Sequence, residues 1–236
     1  VLYQYDQYFD AENGCDLQTT LDTTIQYYLE KGVQELEARF GTGKGATGIV
    51  MDVNTGAVLA MASLPTYDLN DPSVIYNDFL TAGMTEEEII ENATDLRNKQ
   101  WRSKAINDTY EPGSTFKTLT LAMALEENVV DMNTSFYCGG NMTVEGQKIW
   151  CSKRTGHGQQ DLSTAFANSC NPAFMNIGLR IGNAKFYQYM KDFGLLEKTG
   201  IDTTGEASGF ANKEIEYSTL ALACYAFGQN FNVTPI

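Results

Sequence analysis

The sequence predicts a helix-rich α/β protein of the α+β type, in which antiparallel strands and helices occupy separate segments. Two apolar runs, Thr47–Val53 and Ala57–Ser63, flank the turn Asn54-Thr55-Gly56, as in an antiparallel hairpin. The segment Ser114–Glu127 is apolar nearly all round, which is typical of a buried central helix. Further helical patterns fill the second half of the chain, so helices should outnumber strands.

The first element is a helix that follows a polar lead-in, which we assign to residues 1–18. Thr20-Leu21-Asp22 is a typical helix start, and apolar residues recur at helical spacing from there to Phe40. The domain itself is therefore assigned to residues 19–236. Both strands of the hairpin that follows carry apolar residues on each face, so we expect them to be buried between helices.

Local signals mark the later elements. Thr85 and Glu88 form a capping box that predicts a short acidic helix. Glu145-Gly146 predicts the turn of a second hairpin, between Met142–Val144 and Gln147–Ile149. The remaining predicted helices are Leu162–Asn168, Pro172–Ile181, Lys185–Phe193 and Tyr217–Phe227.

Composition excludes several classes of protein. The 236 residues carry a formal net charge of −14, and a nucleic-acid-binding protein would need an electropositive face instead. Hydrophobic residues at 43% and charged residues at 19% are ordinary for a folded domain and rule out a disordered chain. No apolar run reaches the 18 or more residues that a membrane-spanning helix requires.

The five cysteines are too few and too scattered for a disulfide scaffold. None forms a C-x-x-C pair and His157 is the single histidine, so the spacing predicts no zinc site. Cys138 and Cys151 flank the second hairpin as diagonal neighbours. The sequence leaves undecided whether these two cysteines form a disulfide, which would require that the protein works outside the cytoplasm.

Ser114-Thr115-Phe116-Lys117 is the first candidate for chemistry. Residues three apart on a helix share a face, so the amine of Lys117 can reach the hydroxyl of Ser114. A partly buried lysine can remove the hydroxyl proton and turn a serine into a nucleophile. The alternative is structural: Ser114 caps the helix and Lys117 lies in solvent.

Ser169-Cys170-Asn171 is the second candidate, because it lies in a short break between two predicted helices, where side chains can point into a cleft. Here too a structural alternative exists, since Asn171 followed by Pro172 is a common helix start. The two motifs together, in this order and at this spacing, favour a serine acyl-transfer site over either alternative.

The run Tyr110–Lys117, Tyr-Glu-Pro-Gly-Ser-Thr-Phe-Lys, resembles the active-site signature of class B penicillin-binding protein transpeptidases. Ser169-Cys170-Asn171 matches their S-x-N element. Further similar stretches are Asp16–Gln26, Asp52–Ser63, Gly156–Gly158 and Phe193–Glu206, so the resemblance covers the chain from about Asp16 onward. It implies a penicillin-binding/serine β-lactamase-like transpeptidase fold, whose antiparallel sheet is only partly present in this chain.

The resemblance also implies a reaction. Ser114 attacks the penultimate D-alanine carbonyl of a peptidoglycan stem peptide, with Lys117 as general base. Ser169 relays a proton to the leaving amine, and Asn171 binds the substrate's peptide carbonyl. The acyl-enzyme then passes to an amine of a neighbouring stem, while β-lactams acylate Ser114 stably. No cofactor and no metal are implied.

Partners and location follow from the same resemblance. The expected partners are peptidoglycan stem peptides, β-lactam antibiotics and, through the full-length protein, other cell-wall synthesis proteins; nucleic acid is not one of them. The expected location is the extracytoplasmic face of the bacterial cell membrane, with an anchor upstream of this chain.

The family's third element, K-[ST]-G on a strand, has a superficial match in Lys198-Thr199-Gly200. Glycines bracket this segment and no alternating pattern surrounds it, so we predict a loop instead. The chain is therefore expected to stop short of the third motif and to lack the C-terminal strands of the domain. Since an oxyanion donor near that motif is worth about 3–4 kcal/mol, we expect weak or no transpeptidation from this chain alone.

Two alternatives to a transpeptidase remain. A class D-like serine β-lactamase also carries Ser-Thr-Phe-Lys, and it would hydrolyse the acyl-enzyme quickly. A penicillin sensor or a cell-wall scaffold would keep the motifs without turnover. The lifetime of a penicillin adduct distinguishes these possibilities.

Overall fold

The structure is a computed structural model that describes residues 14–41, 45–212, 215 and 218–236. Most of the predicted lead-in, residues 1–13, lies outside these ranges, as does Tyr217 of the last predicted helix. The α-helices described are α1 Thr23–Phe40, α2 Asp78–Thr81, α3 Glu86–Glu91, α4 Ala93–Gln100, α5 Lys117–Glu126, α6 Leu162–Ala167, α7 Asn171–Ile181, α8 Asn183–Asp192 and α9 Thr219–Tyr225. The strands described are β1 Thr47–Met51, β2 Val58–Ser63, β3 Ser135–Cys138, β4 Asn141–Val144, β5 Gln147–Trp150, β6 Gly158–Asp161, β7 Phe210–Ala211 and β8 Phe231–Asn232.

Helix α1 packs against one face of the β1–β2 hairpin. Asp22 caps α1 by accepting hydrogen bonds from the backbone N–H groups of Thr24 and Ile25. The strands pair antiparallel, with Gly48 opposite Ala62, as the hairpin signal predicted. A Cβ on Gly48 would lie only 2.7 Å from Leu29 Cδ1, so the absent side chain lets the helix pack closely against the sheet.

The expected burial of this hairpin between helices is wrong. Ala60 and Ala62 of β2 are buried, whereas every residue of β1 is partly or fully exposed. The reason is that α1 packs on one face of the sheet, and apolar residues on the opposite face receive no comparable cover from another described helix.

The core lies among helices α5, α7 and α9. Gly113–Phe116 forms a 3-10 turn that leads directly into α5, so the predicted helix starts in a tighter form than expected. Helix α5 packs on α7, which packs on α9, and the buried hydroxyl of Thr120 donates to the carbonyl of Ala226 at 2.9 Å. The expected burial of α5 nearly all round is wrong: it buries Lys117, Thr120, Met123 and Ala124 but exposes Thr118, Ala122, Leu125 and Glu126, whereas α7 buries most of its residues.

Three small antiparallel sheets surround this core. Strands β4 and β5 form the predicted second hairpin, in which Glu145 and Gly146 both have positive φ, 48° and 79°. Strands β3 and β6 pair with each other, as do β7 and β8. The last two pairs were not predicted, because their segments are short and β6 is polar throughout.

Lys198-Thr199-Gly200 lies in a loop, as predicted. Glu206 accepts hydrogen bonds from the backbone N–H and the hydroxyl of Thr199, at 2.6 and 2.7 Å, and from the N–H of Gly200 at 3.1 Å. These hydrogen bonds, with that from the Thr199 hydroxyl first, hold the pKa of the Glu206 carboxyl below its usual value. The segment is therefore a loop held by hydrogen bonds to Glu206, and it does not pair as a strand.

None of the helices in the described ranges combines the length and the apolar character that crossing a bilayer would require.

The contact between α7 and α9 predicts an overpacking effect at Gly178. A Cβ added there would lie 2.5 Å from Ala226 Cβ, and both residues are buried. We expect Gly178→Ala to lower the free energy of unfolding by about 1–3 kcal/mol, measured by urea denaturation. Gly32→Ala is the matched control: Gly32 is an exposed residue of α1 with open space around it, so helix propensity should raise stability by about 0.5–1 kcal/mol. An unchanged midpoint for Gly178→Ala contradicts the packing described.

Candidate active site

Ser114 lies on the 3-10 turn that precedes α5, and a contact between two glycines holds this turn in place. Gly113 has φ 59° and donates its N–H to the carbonyl of Gly228 at 2.8 Å. A Cβ on Gly228 would lie 1.9 Å from the Gly113 carbonyl oxygen, so only glycine permits this approach. This contact holds Ser114, the candidate nucleophile, next to the segment that follows α9.

Lys117 is the centre of the site, with a side chain that is 1% exposed. Its Nζ lies 3.1 Å from Ser114 Oγ, 2.9 Å from Ser169 Oγ, 2.7 Å from the Ser169 carbonyl oxygen and 2.7 Å from Asn171 Oδ1. The ring of Phe174 lies below the amine, with its centroid 5.5 Å from Nζ. The structural alternative, a solvated Lys117, is therefore wrong.

The four neighbours of the amine can serve the neutral form of lysine as well as the charged form. The Ser169 carbonyl and Asn171 Oδ1 can only accept hydrogen bonds, and together they use the two N–H groups of a free amine. The nitrogen lone pair is then left for a hydroxyl proton, which Ser114 or Ser169 can donate. Among these contacts, Ser114 and Lys117 have the geometry of a nucleophile and its base.

Burial lowers the pKa of the Lys117 amine from 10.5 to about 8, although the nearby thiols of Cys151 and Cys170 act in the opposite direction. A lysine with this pKa is uncharged in about one molecule in ten at pH 7, against fewer than one in a thousand for an exposed lysine. The site therefore supplies a usable fraction of free base near neutral pH.

Ser169 lies in a tight turn between α6 and α7, with φ 48°, a value that is uncommon for a residue other than glycine. The turn is held by hydrogen bonds from the N–H of Ser169 to Phe166 and from the N–H of Cys170 to Ala165. This turn directs the hydroxyl and the carbonyl oxygen of Ser169 toward Lys117 Nζ. A strained backbone of this kind costs about 1–3 kcal/mol and is frequent at functional sites.

Asn171 links α7 to the second hairpin. Its Oδ1 faces Lys117, and its Nδ2 donates to the Trp150 carbonyl at 3.1 Å. The structural alternative, Asn171 as helix cap, is wrong, since Cys170 occupies the cap position and Asn171 is the first residue of α7. The side-chain amide of Asn171 instead connects Lys117 Nζ to the Trp150 carbonyl.

An open cavity of about 560 Å³ adjoins these residues; it is lined by Ser114, Trp150, Cys151, Ser152, Arg154, Ser169 and Asn171. Trp150 and Arg154 were not predicted as site residues. The Arg154 guanidinium lies over the Trp150 ring at 4.5 Å and brings positive charge to the cavity. Thr199 lines a different depression, with Pro112 and Phe116, so the described Lys198–Gly200 loop does not contribute to this cavity.

A cluster of potential metal ligands lies next to the cavity. The side-chain ligand atoms of Cys138, Cys151, His157 and Cys170 all lie within 4.8 Å of one another. The thiols of Cys138 and Cys151 are free, so the structure contains no bond between them. The spacing rule missed this cluster because it compares neighbours in sequence, whereas these residues meet only in the folded chain.

A family model described as the penicillin binding protein transpeptidase domain matches residues 46–236. Stage V sporulation protein D of Bacillus subtilis (strain 168) is 36% identical over 237 residues, covering 98% of this chain and 33% of that protein. Peptidoglycan D,D-transpeptidase MrdA of Haemophilus influenzae is 30% identical, covering 84% of this chain and 28% of that protein. Peptidoglycan D,D-transpeptidase FtsI of Escherichia coli (strain K12) is 26% identical, covering 96% of this chain and 34% of that protein.

The chain spans about a third of the length of these relatives. Among solved structures, a peptidoglycan glycosyltransferase from Burkholderia ambifaria superposes with a TM-score of 0.71 at 20% identity. The match covers 92% of this chain and 57% of that one. At this identity the similarity shows a shared fold.

Proposed function

Because the chain belongs to the class B penicillin-binding protein transpeptidases, we propose that it carries the D,D-transpeptidase centre that cross-links peptidoglycan stem peptides through a serine acyl-enzyme. One observation supports this most strongly: Lys117 Nζ contacts Ser114 Oγ while the Ser169 carbonyl and Asn171 Oδ1 occupy its N–H donors. That arrangement directs the lone pair of a free amine toward a serine hydroxyl.

In the proposed first step, Ser114 Oγ attacks the penultimate D-alanine carbonyl, and its proton passes to Lys117 Nζ. The resulting tetrahedral oxyanion collapses and breaks the amide bond. Ser169 lies 2.9 Å from Lys117 Nζ, so it can relay the proton from the ammonium to the departing amine of the terminal D-alanine. The products are an ester on Ser114 and free D-alanine.

In the second step, an amine of a neighbouring stem attacks the ester, and its proton returns through Lys117 to Ser114 Oγ. A new amide forms and the serine is regenerated. The amide of Asn171 has one N–H on the Trp150 carbonyl and a second that can hold a substrate carbonyl. These roles for Ser114, Lys117, Ser169 and Asn171 are all part of the proposal.

The proposal predicts a covalent penicillin adduct on Ser114. Purified chain incubated with benzylpenicillin should gain the mass of one intact drug molecule, because ring opening adds the whole molecule to the hydroxyl. Ser114→Ala should remove the adduct completely. Thr118→Ala should leave it unchanged, because Thr118 is an exposed residue of α5 whose hydroxyl donates to the Thr115 carbonyl. Intact-mass spectrometry after long incubation also detects slow acylation.

The lifetime of the adduct tests the class of protein. An adduct that persists for hours supports a transpeptidase. Transfer of the acyl group from a thioester substrate to a D-amino acid, measured on the full-length protein, then distinguishes it from a sensor or scaffold. Rapid loss of the adduct with release of hydrolysed drug would instead support a class D-like β-lactamase. Adduct formation on Ser114→Ala contradicts the assignment of the nucleophile.

We also propose that the domain works on the extracytoplasmic face of the bacterial membrane, within a full-length protein that cooperates with other cell-wall synthesis proteins. Peptidoglycan, which the names of the relatives MrdA and FtsI give as their substrate, lies outside that membrane, and this supports the proposed location. Protease added to intact spheroplasts should cleave this domain. Protection equal to that of a cytoplasmic marker contradicts the location.

A further inference from the structure

The cavity beside Ser114 carries a cationic side chain that the proposed acyl transfer does not use. Arg154 lines this cavity, and its guanidinium lies over the Trp150 ring, 4.5 Å from the ring centroid. We propose that Arg154 selects the donor substrate by binding a side-chain carboxylate on the stem-peptide residue that precedes the two D-alanines. This inference rests on the proposed function, since it names the substrate class of the same site.

The charge at the cavity is opposite to that of the chain. The chain has a formal net charge of −14, whereas the described residues that line the cavity include Arg154 and neither an aspartate nor a glutamate. Lys148 adds a second positive charge nearby, with Nζ 5.0 Å from the centroid of the Trp150 ring. A cleft of one sign attracts ligands of the opposite sign and raises their local concentration. The charge at this cavity therefore favours an anionic substrate.

Arg154 has no carboxylate partner in the described part of the chain. The ion pairs found there use other side chains; Arg102, for example, is neutralised by Asp108. Arg154 is also an exposed residue, so its guanidinium is open to a ligand. In a chain with 30 acidic residues against 16 basic ones, an unpaired arginine at the substrate cavity indicates that the ligand supplies the carboxylate.

The surroundings of Arg154 prepare it for a carboxylate. A guanidinium that lies over an aromatic ring presents its face to the ring and leaves its N–H edge free. That edge matches a carboxylate, which can accept two parallel hydrogen bonds from it. The backbone is held as well: the N–H of Gly156 donates to the Lys153 carbonyl at 2.9 Å, and a Cβ on Gly140 would lie 2.0 Å from the Arg154 carbonyl oxygen.

The contact between Trp150 and Asn171 indicates which part of the substrate meets Arg154. Asn171 Nδ2 donates to the Trp150 carbonyl at 3.1 Å, so Arg154 lies on the Asn171 side of the cavity. In the proposed mechanism the scissile carbonyl faces Ser114, and the second N–H of Asn171 holds the next carbonyl upstream. That carbonyl belongs to the residue before the two D-alanines. The side chain of this residue therefore lies toward Arg154, whereas the carboxylate of the terminal D-alanine lies on the leaving-group side.

The chemistry of this side chain then affects the rate of acylation. A carboxylate forms a charge-assisted pair with Arg154, a carboxamide of the same shape lacks the charge, and an ammonium group is repelled. Because Arg154 is exposed, water weakens the pair, and we expect about a fivefold preference for the carboxylate over the carboxamide. Salt should reduce this preference, because it screens exposed charges.

The test compares donor thioesters on the full-length protein. Two N-acetylated dipeptide thioesters end in D-alanyl thioglycolate and carry either glutamate or glutamine before the D-alanine. Thiol release should give the wild type about a fivefold higher kcat/KM for the glutamate donor, less at high salt. Arg154→Gln should abolish the preference, and Arg154→Glu should reverse it in favour of a lysine donor. Lys153→Gln is the matched control, since it removes the same charge from an exposed neighbour that does not line the cavity, and it should keep the preference.

Each preference is a ratio measured within one protein, so a loss of folded protein lowers both rates alike and leaves the ratio unchanged. Benzylpenicillin labelling of Ser114 tests the proposed function separately. A wild type that neither forms the adduct nor releases thiol overturns the proposed function, and this inference with it. A wild type that is labelled but uses the two donors at equal rates, or uses neither, overturns this inference alone. An undiminished preference in Arg154→Gln does so too.

Discussion

Replacing Lys117 with methionine is expected to slow acylation of Ser114 by penicillin by about 10²–10⁴-fold, the usual contribution of a positioned general base. The variant keeps an unbranched side chain of similar length but has no proton acceptor of comparable strength. It also leaves the Ser169 carbonyl and Asn171 Oδ1 without their donor. The rate constant for adduct formation, followed by intact-mass spectrometry, measures the effect.

Two controls separate base chemistry from damage to the fold. Lys99→Met removes a lysine that is exposed on α4 and paired with Asp95, and it should leave the acylation rate unchanged. Lys117→Arg keeps a positive charge and several donors, but a guanidinium does not lose its proton in proteins. If Lys117→Arg acylates at the wild-type rate, Lys117 is not the base and the proposed mechanism is wrong.

Phe174→Ala is expected to lower the free energy of unfolding by about 3–5 kcal/mol, because it deletes a fully buried ring and leaves a cavity. Phe174 lies in α7, where its ring contacts Phe166 at a centroid distance of 6.1 Å and lies below Lys117 Nζ. Such a loss is a large part of the 5–15 kcal/mol that stabilises an ordinary domain. Urea denaturation followed by circular dichroism measures it.

Phe210→Ala is the matched control, since it removes the same atoms from a residue of β7 that is 68% exposed. We expect a change within about 0.5 kcal/mol for that variant. Equal destabilisation by the two substitutions would contradict the placement of Phe174 in the core. Penicillin labelling of Phe174→Ala, normalised to the folded fraction, then reports how far the ring also positions the Lys117 amine.

Features that depend on neighbouring residues were predictable from the sequence. The capping box of Thr85 and Glu88 forms as expected, since both of its hydrogen bonds span three residues. The Glu145-Gly146 turn adopts the positive φ values that its residue types allow. The family signature placed Ser114 and Lys117 on one face for the same reason, because they lie three residues apart.

Features that depend on distant contacts were not predictable in the same way. Strand β6, Gly-Gln-Gln-Asp, has no apolar alternation and is a strand because β3 pairs with it. The β1–β2 hairpin is apolar on both faces, yet only the fold shows that α1 packs against one of them. Asn171 before Pro172 has the pattern of a cap, but its side chain instead bonds to Lys117, 54 residues away.

The sequence by itself determined the family, the pairing of Ser114 with Lys117 and most of the helices, because these follow from short-range patterns in the chain. Only the tertiary structure decided which groups surround the lysine: Ser169 and Asn171 reach it from 52 and 54 residues away. It also decided that Cys138, Cys151, His157 and Cys170 meet at one point. The physical reason is that β-strand pairing and helix packing bring together residues whose separation along the chain follows no local spacing rule.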